Sequence, residues 1–252
     1  MLVSRSFTIA LVAVAIAASA FGQTSPTTES STDTLTPTQP TDASTPATTP
    51  NPESNAKGKQ SKRILGIIPN YRAVSADTTL PPLSVKGKFL LATQDSFDYS
   101  SILVAAFMAG LGQARNSYPE FHQGAAGFGR YFWHSFADQA VGNYFTEFIV
   151  PTLTHEDPRY YTRFHGSFFS RAGYSVSRLF ITRTDSGAET FNFSEIVGNG
   201  AGAGVSALYY PERERTWTKT GQKWANQVAL DGVFNVLKEF WPDIRHDIFR
   251  QK

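Results

Sequence analysis

The hydrophobic and polar positions of the chain are organised around residues 124–150, GAAGFGRYFWHSFADQAVGNYFTEFIV. At about 100° per residue, Arg130, His134 and Asp138 share one stripe of a helix, because four-residue steps advance by only about 40°. Gln139, Asn143 and Glu147 form a second stripe, roughly opposite. Apolar side chains fill the positions between them, among them Tyr131, Phe132, Trp133, Phe136, Val141, Tyr144, Phe145 and Phe148. A helix that is apolar around most of its circumference is expected to be covered by neighbours. The pattern therefore predicts an enclosed aromatic rod with other helices packed around it.

The remaining pattern supplies those neighbours. Asp95 or Ser96 suits the N-cap of a helix over 97–115, where Ala105/Ala109 and Ala106/Gly110 make small-xxx-small pairs that let another backbone approach. Pro151 ends or kinks the central helix, and Asp157 followed by Pro158 reads as N-cap and first residue of a new one. Residues 167–181 read as a further helix and 182–194 as a loop closing on Ser194 as N-cap. In the next helix, 195–210, Gly198, Gly202 and Ser206 lie on one stripe. Each interior glycine costs about 0.5–1 kcal/mol relative to alanine, so close packing on the central helix is expected to offset it. The last helix opens at Thr220 or Gly221 and ends or bends at Pro242. Upstream, RILGIIPNYRAV is broken by Pro69 and Asn70 and predicts a short edge strand or extended arm. The fold class is all-α: a compact bundle of about five to six helices with a short extended N-terminal arm.

Composition divides the chain before this domain begins. Residues 1–22 read as a signal peptide: Arg5 supplies the charge, residues 7–20 the apolar run, and small residues the cleavage region. Residues 23–62 hold a single Leu and no aromatic residue and are dominated by Thr, Ser and Pro, which predicts a disordered tether. Residues 63–252 form the helical domain. The longest uncharged stretches, 99–114 and 196–211, are about 16 residues, short of the about 20 that a spanning helix needs. The 20 Phe, 10 Tyr and 4 Trp suit an interfacial position instead. The absence of cysteine excludes thiol nucleophiles and Cys-ligated metals, and a formal charge of +2 gives no argument for nucleic acid.

Two groups offer candidate chemistry. In the first, Asp138 stands one turn from His134, the spacing at which a carboxylate orients a general base, with Arg130 on the same stripe. No nucleophile accompanies them, since Ser135 points about 100° away, and a charge-paired stripe joining helices is the plainer reading. In the second, His155, Glu156 and Asp157 with His165 nearby resemble a ligand set, but they are not HExxH and consecutive residues seldom converge on one ion, so no metal is assigned. Arg159, Arg163, Arg171 and Arg178 suggest a basic face for lipid headgroups or anionic glycans, against the plainer reading of a solvated helix face. The candidates are thus His134, Asp138, His155 and Glu156 for catalysis and Arg130, Arg159 and Arg163 for binding. No cofactor is expected.

The stretches RILGIIPNYRAV, KFLLATQDSFDY, HEDPRYY, FNFSEIVGNGAGA and KEFWPDI occur together. In them the chain resembles a group of uncharacterised exported bacterial proteins. The likeness covers roughly residues 63–249, implies one contiguous domain, and brings no catalytic residue to carry over. The expected function is that of an exported cell-envelope protein, in the periplasm or envelope and membrane-associated, acting as a structural or binding module. Its expected partners are membrane lipid or another envelope protein. The alternative is an envelope hydrolase acting on lipid or glycan through a His/Asp pair.

Overall fold

A computed structural model of the chain describes residues 63–64, 68–70, 72–75, 80–163 and 165–249, so the expected signal and tether lie outside the described residues. Six helical rods dominate them. Helix α1 (Val85–Phe97) starts on the Ser84 hydroxyl, which accepts from Gly87 N–H at 3.1 Å. Helix α2 (Tyr99–Ala114) starts on the Asp98 carboxylate, which accepts from Ser100 N–H at 2.9 Å. Helix α3 (Gly124–Asn143) runs through a π-helical segment (Tyr144–Ile149) into α4 (Val150–Thr154). Helix α5 spans Phe168–Ser177. A second π-helical segment (Ser194–Gly198) opens α6 (Asn199–Ala207), and α7 (Trp217–Phe249) closes the domain.

The expected all-α bundle is therefore present, with short strands at its edge. Strands β1 (Arg63–Ile64) and β2 (Ile68–Pro69) pair antiparallel. In the same arm β3 (Ala73–Ser75) runs parallel to β5 (Tyr160–Thr162). A small antiparallel sheet joins β4 (Glu156–Asp157), β6 (Ile181–Thr184) and β7 (Glu189–Phe191).

The glycine stripe packs as its spacing predicts. A Cβ on Gly198 would lie 3.2 Å from the Phe145 carbonyl, and one on Gly202 would lie 3.4 Å from the Gly142 Cα. Ser206 reaches Asp138 at 2.6 Å. The three positions meet α3 in descending order, so α6 and α3 run antiparallel with their backbones nearly touching.

Several local expectations are corrected. The central helix forms but is not enclosed. Gly127, Tyr131 and His134 face inward, whereas Phe128 and Trp133 remain exposed, because the polar stripes turn toward the bundle and the aromatic side turns out. HEDPRYY is strand, turn and strand rather than a helix start. Asp157 is held instead by the Arg159 backbone N–H (3.0 Å), the Arg159 guanidinium and the Tyr161 hydroxyl (2.7 Å). Residues 181–191 form the β6–β7 hairpin, with Gly187 at a φ of 90° in its turn. The cap before α6 is Asn192, whose side-chain oxygen accepts from Glu195 N–H at 2.9 Å. Helix α7 begins at Trp217 on the Thr216 hydroxyl, earlier than Thr220, and continues past Pro242.

The interior is unusually polar. Among the described residues, polar and charged side chains outnumber apolar ones in the buried set. Buried apolar residues gather in two small clusters, Leu237/Trp241/Ile244 and Ala109/Phe121/Tyr131/Tyr210. Elsewhere ion pairs join the elements. Lys88 ties α1 to the Pro151 carbonyl (3.0 Å) and to Asp185 (2.7 Å). Glu239, fully buried on α7, accepts from Arg171 Nε (3.0 Å), Arg163 N–H (3.0 Å) and the Tyr160 hydroxyl (3.2 Å). Removing one partner of such a pair strands the other charge away from water. We expect Glu239→Ala to lower unfolding free energy in urea by about 3–5 kcal/mol, with Glu239→Gln costing less because it keeps an acceptor for Arg163 N–H.

Candidate functional site

The arm, three helices and both π segments converge on one buried group of charges. Parallel pairing of β3 with β5 fixes the residue just before it, Arg72, whose carbonyl accepts from Tyr160 N–H (2.9 Å). Its Nε donates to the Pro158 carbonyl (2.8 Å) and its Nη1 to Glu147 (3.3 Å). Glu147 stands on the first π segment and Glu195 on the second. Asp95 comes from α1, and Asp231 and Lys238 come from α7. Asn199 bridges two of the carboxyls, donating to Glu195 and to Asp231 at 3.0 Å each. A π turn inserts a residue into a helix, widens it and re-aims its side chains, and such turns concentrate at functional sites.

Two cations cannot balance four carboxylates, and the protonation pattern resolves this. Burial, followed by the neighbouring Asp95, pushes Glu147 well above the usual carboxylate range. Burial and then Asp231 do the same to Glu195. Asp95 Oδ1 and Glu147 Oε2 are buried and meet no N–H or O–H donor. The two carboxyls adjoin, so the proton that Glu147 retains serves as the donor to Asp95. Glu195 and Asp231 are joined through Asn199, which donates to both. Asp95 is itself raised, by burial first, so the upward shifts of the carboxyls ease the charge imbalance with Arg72 and Lys238. Burial opposes the Arg72 cation, but the field of Glu147, Asp95, Glu195 and Asp231 outweighs it and raises its pKa. Lys238 is lowered, by burial first and by Arg72 second.

A small cleft of about 30 Å³, partly open to solvent, lies beside this group. Arg72, Glu195, Asp231 and Lys238 line its floor, with Arg159, Arg178 and Arg183 around it. Burial and then the Asp157 hydrogen bond push the Tyr161 hydroxyl up to about 12, so it stays protonated and donates to that carboxylate.

Of the sequence candidates Arg159 lines this cleft, and the others occupy other places. His134 Nδ1 lies 2.7 Å from the Arg130 carbonyl and Nε2 lies 3.0 Å from the Tyr209 carbonyl. Both ring nitrogens thus face acceptors, and Phe121 covers the ring at a centroid distance of 4.2 Å. Asp138 turns away from His134 to Ser206 (2.6 Å), the hydroxyls of Tyr209 and Tyr210 (2.7 Å each) and Lys223 (2.8 Å). Burial lowers Lys223 although Asp138 opposes the shift, and its ammonium also bonds to Ser206. Ser206 is buried, so this serine and lysine do not face a substrate. Arg130 donates to the Phe121 carbonyl (2.9 Å).

His155 and Glu156 do not converge with Asp157 on a shared point. His155 is a left-handed residue that ends α4. Glu156 accepts from the N–H groups of Phe193 (2.9 Å) and Ser194 (2.8 Å), which places it as the anionic cap of the second π segment. Among the described residues no group of three or more His, Asp and Glu side chains is arranged to hold a metal ion. Of the four arginines, Arg159 and Arg178 line the cleft, whereas Arg163 and Arg171 do not. Arg159 is clamped on Asp157, Arg163 lies 5.8 Å from the Tyr174 ring, and Arg171 is buried on Glu239.

Sequence reasoning placed Glu147 on a polar stripe and Glu195 behind a cap, but missed their meeting with Arg72, Asp95, Asp231 and Lys238. The signal was present: each glutamate stands alone in an otherwise apolar or glycine-rich run.

The raised glutamates predict a pH dependence. A group whose folded pKa is raised contributes stability that is fully present below its unfolded value and lost as pH rises through the folded one. We expect the melting temperature to fall as pH rises above the ordinary carboxylate range, and the double substitution Glu147→Gln/Glu195→Gln to flatten that fall, because an amide donates permanently where the acid loses its proton. Calorimetry across the range checks this. Comparison of the chain with protein families, with curated proteins and with solved structures finds no match.

Proposed function

We propose that the protein is a membrane-associated binding module of the bacterial cell envelope, resting on lipid by an apolar outer face. The carrying observation is the inverted distribution of side chains. Charged groups occupy the interior, while Phe107 (59% exposed), Phe169 (83%), Leu208 (73%) and Trp217 (93%) stand in the open. Burying a large apolar side chain yields about 1.5–3 kcal/mol, so leaving many exposed favours a second, apolar phase.

The outward aromatic side is continuous over part of the surface. Phe128, Phe132 and Phe136 stack along α3 with centroids 6.3 and 6.2 Å apart, and Phe136 meets Phe97 of α1 at 5.7 Å. Further along, Phe89 of α1 packs on Phe148 at 5.3 Å and on Tyr144 at 5.8 Å. Ile102, Leu103 and Phe107 are exposed on α2, which packs on α3. No described helix is long and apolar enough to cross a membrane, and a face of rings on the bundle surface suits attachment within the interface. A hydrolase working through His134 and Asp138 lacks this kind of support, because each is bound to other groups.

Vesicle flotation tests the reading. The mature chain should float with phosphatidylcholine vesicles, and Leu103→Asp/Phe107→Asp should weaken binding by at least about tenfold while leaving the folded state intact, since both side chains are exposed. Recovery of the wild-type chain entirely in the vesicle-free fraction would sink the proposal. Equal flotation of the substituted chain would remove α2 from the contact.

A further inference from the structure

We propose that the cleft beside the buried carboxyls binds a phosphate-type oxyanion, free or as an ester, through Lys238, Arg183 and Arg178. Five cations line the cleft, and two of them are already engaged. Arg159 is clamped on Asp157, and Arg72 donates to Pro158 and Glu147. The other three have donors to spare. Among the described residues the Lys238 ammonium makes no hydrogen bond, and its attraction to Asp95, Asp231 and Glu147 acts through space. Arg183 lies 4.0 Å from the centre of the Tyr161 ring, a stacked position that occupies its face and leaves its N–H edge without a described partner.

Arg178 supplies an independent observation. Its side chain is only 9% exposed, and its Nη2 meets the exposed Glu189 carboxylate at 2.9 Å. Its Nε is fully buried, faces no acceptor, and belongs to a residue that lines this cleft. A buried donor left unmet is costly, and an anion in the cleft acts on Arg178 through the charge of the guanidinium rather than by touching the enclosed Nε.

Charge and shape select the ligand. The cleft is lined by five cations and three carboxyls, Asp157, Glu195 and Asp231, so it favours an anion. Burial and Asp231 push the Glu195 carboxyl up, which weakens its repulsion of an anion at the cleft edge. The three donors come from different elements: Lys238 from α7, Arg183 from β6, and Arg178 from the end of α5. Donors arriving from separate directions suit a tetrahedral oxyanion, whose acceptors also point in separate directions.

The inference stands on the cleft and not on membrane attachment, so it is tested first without lipid. Inorganic phosphate should raise the melting temperature of the mature chain more than chloride of equal ionic strength does. Arg183→Gln and Lys238→Met should each weaken phosphate by about tenfold, while Arg213→Gln, an exposed control, should not. Arg183→Gln removes only a ring contact among described residues, so it carries the test if Lys238→Met does not fold. A second arm uses sn-glycerol 3-phosphate and phosphatidylcholine vesicles with and without phosphatidic acid. Arg183-dependent binding to phosphatidic acid without a response to inorganic phosphate identifies a lipid headgroup, whereas Arg183-dependent phosphate binding with Arg183-independent vesicle binding identifies a free phosphate. The proposal is overturned if no phosphate species acts beyond ionic strength, or if the substituted chains respond as the wild type does.

Discussion

Placing an arginine inside a helical bundle sets the terms for everything around it. Arg72 enters on the β3 arm and is met by a field of four carboxyls drawn from α1, both π segments and α7. A buried charge without partners is untenable, and a surplus of carboxylates is equally so. Burial and the neighbouring carboxyls push Glu147 and Glu195 toward the neutral acid, which eases both demands. The elements are therefore held in one arrangement less by apolar complementarity than by the need to neutralise this centre.

That requirement explains the glycines. The two π segments carry Glu147 and Glu195 to the same place with their backbones nearly touching, and a side chain at Gly198 would press on Phe145 and Thr146. The π geometry and the glycine stripe are two parts of one solution. HEDPRYY completes it. Glu156 caps the second π segment, Asp157 fixes Arg159 and Tyr161, and Tyr160 reaches Glu239. The motif that most resembled a catalytic or metal site in sequence is a junction that braces the cluster.

Turning charge inward turns aromatic rings outward. The ring series on α3 and the exposed residues of α2 are the counterpart of the polar interior. The outer face and the cleft rest on different observations: one is a surface short of an apolar phase, the other a cavity short of an acceptor. They remain separable in experiment for that reason.

Much of the local structure was legible in the residues themselves. Helical periodicity defined the rods, Ser167 set a helix start, and the four-residue spacing of Gly198, Gly202 and Ser206 anticipated close packing on α3. These are short-range properties, fixed by backbone geometry and nearest neighbours. The direction in which α3 faces was not legible, because an apolar circumference interrupted by two polar stripes is compatible with either side turned inward. Nor was the meeting of Arg72 with Asp95, Glu147, Glu195, Asp231 and Lys238, which are scattered over more than half the chain. Only the tertiary structure brings them together, and the interaction that decides it, the balancing of buried charge, depends on distances through space that sequence separation does not encode.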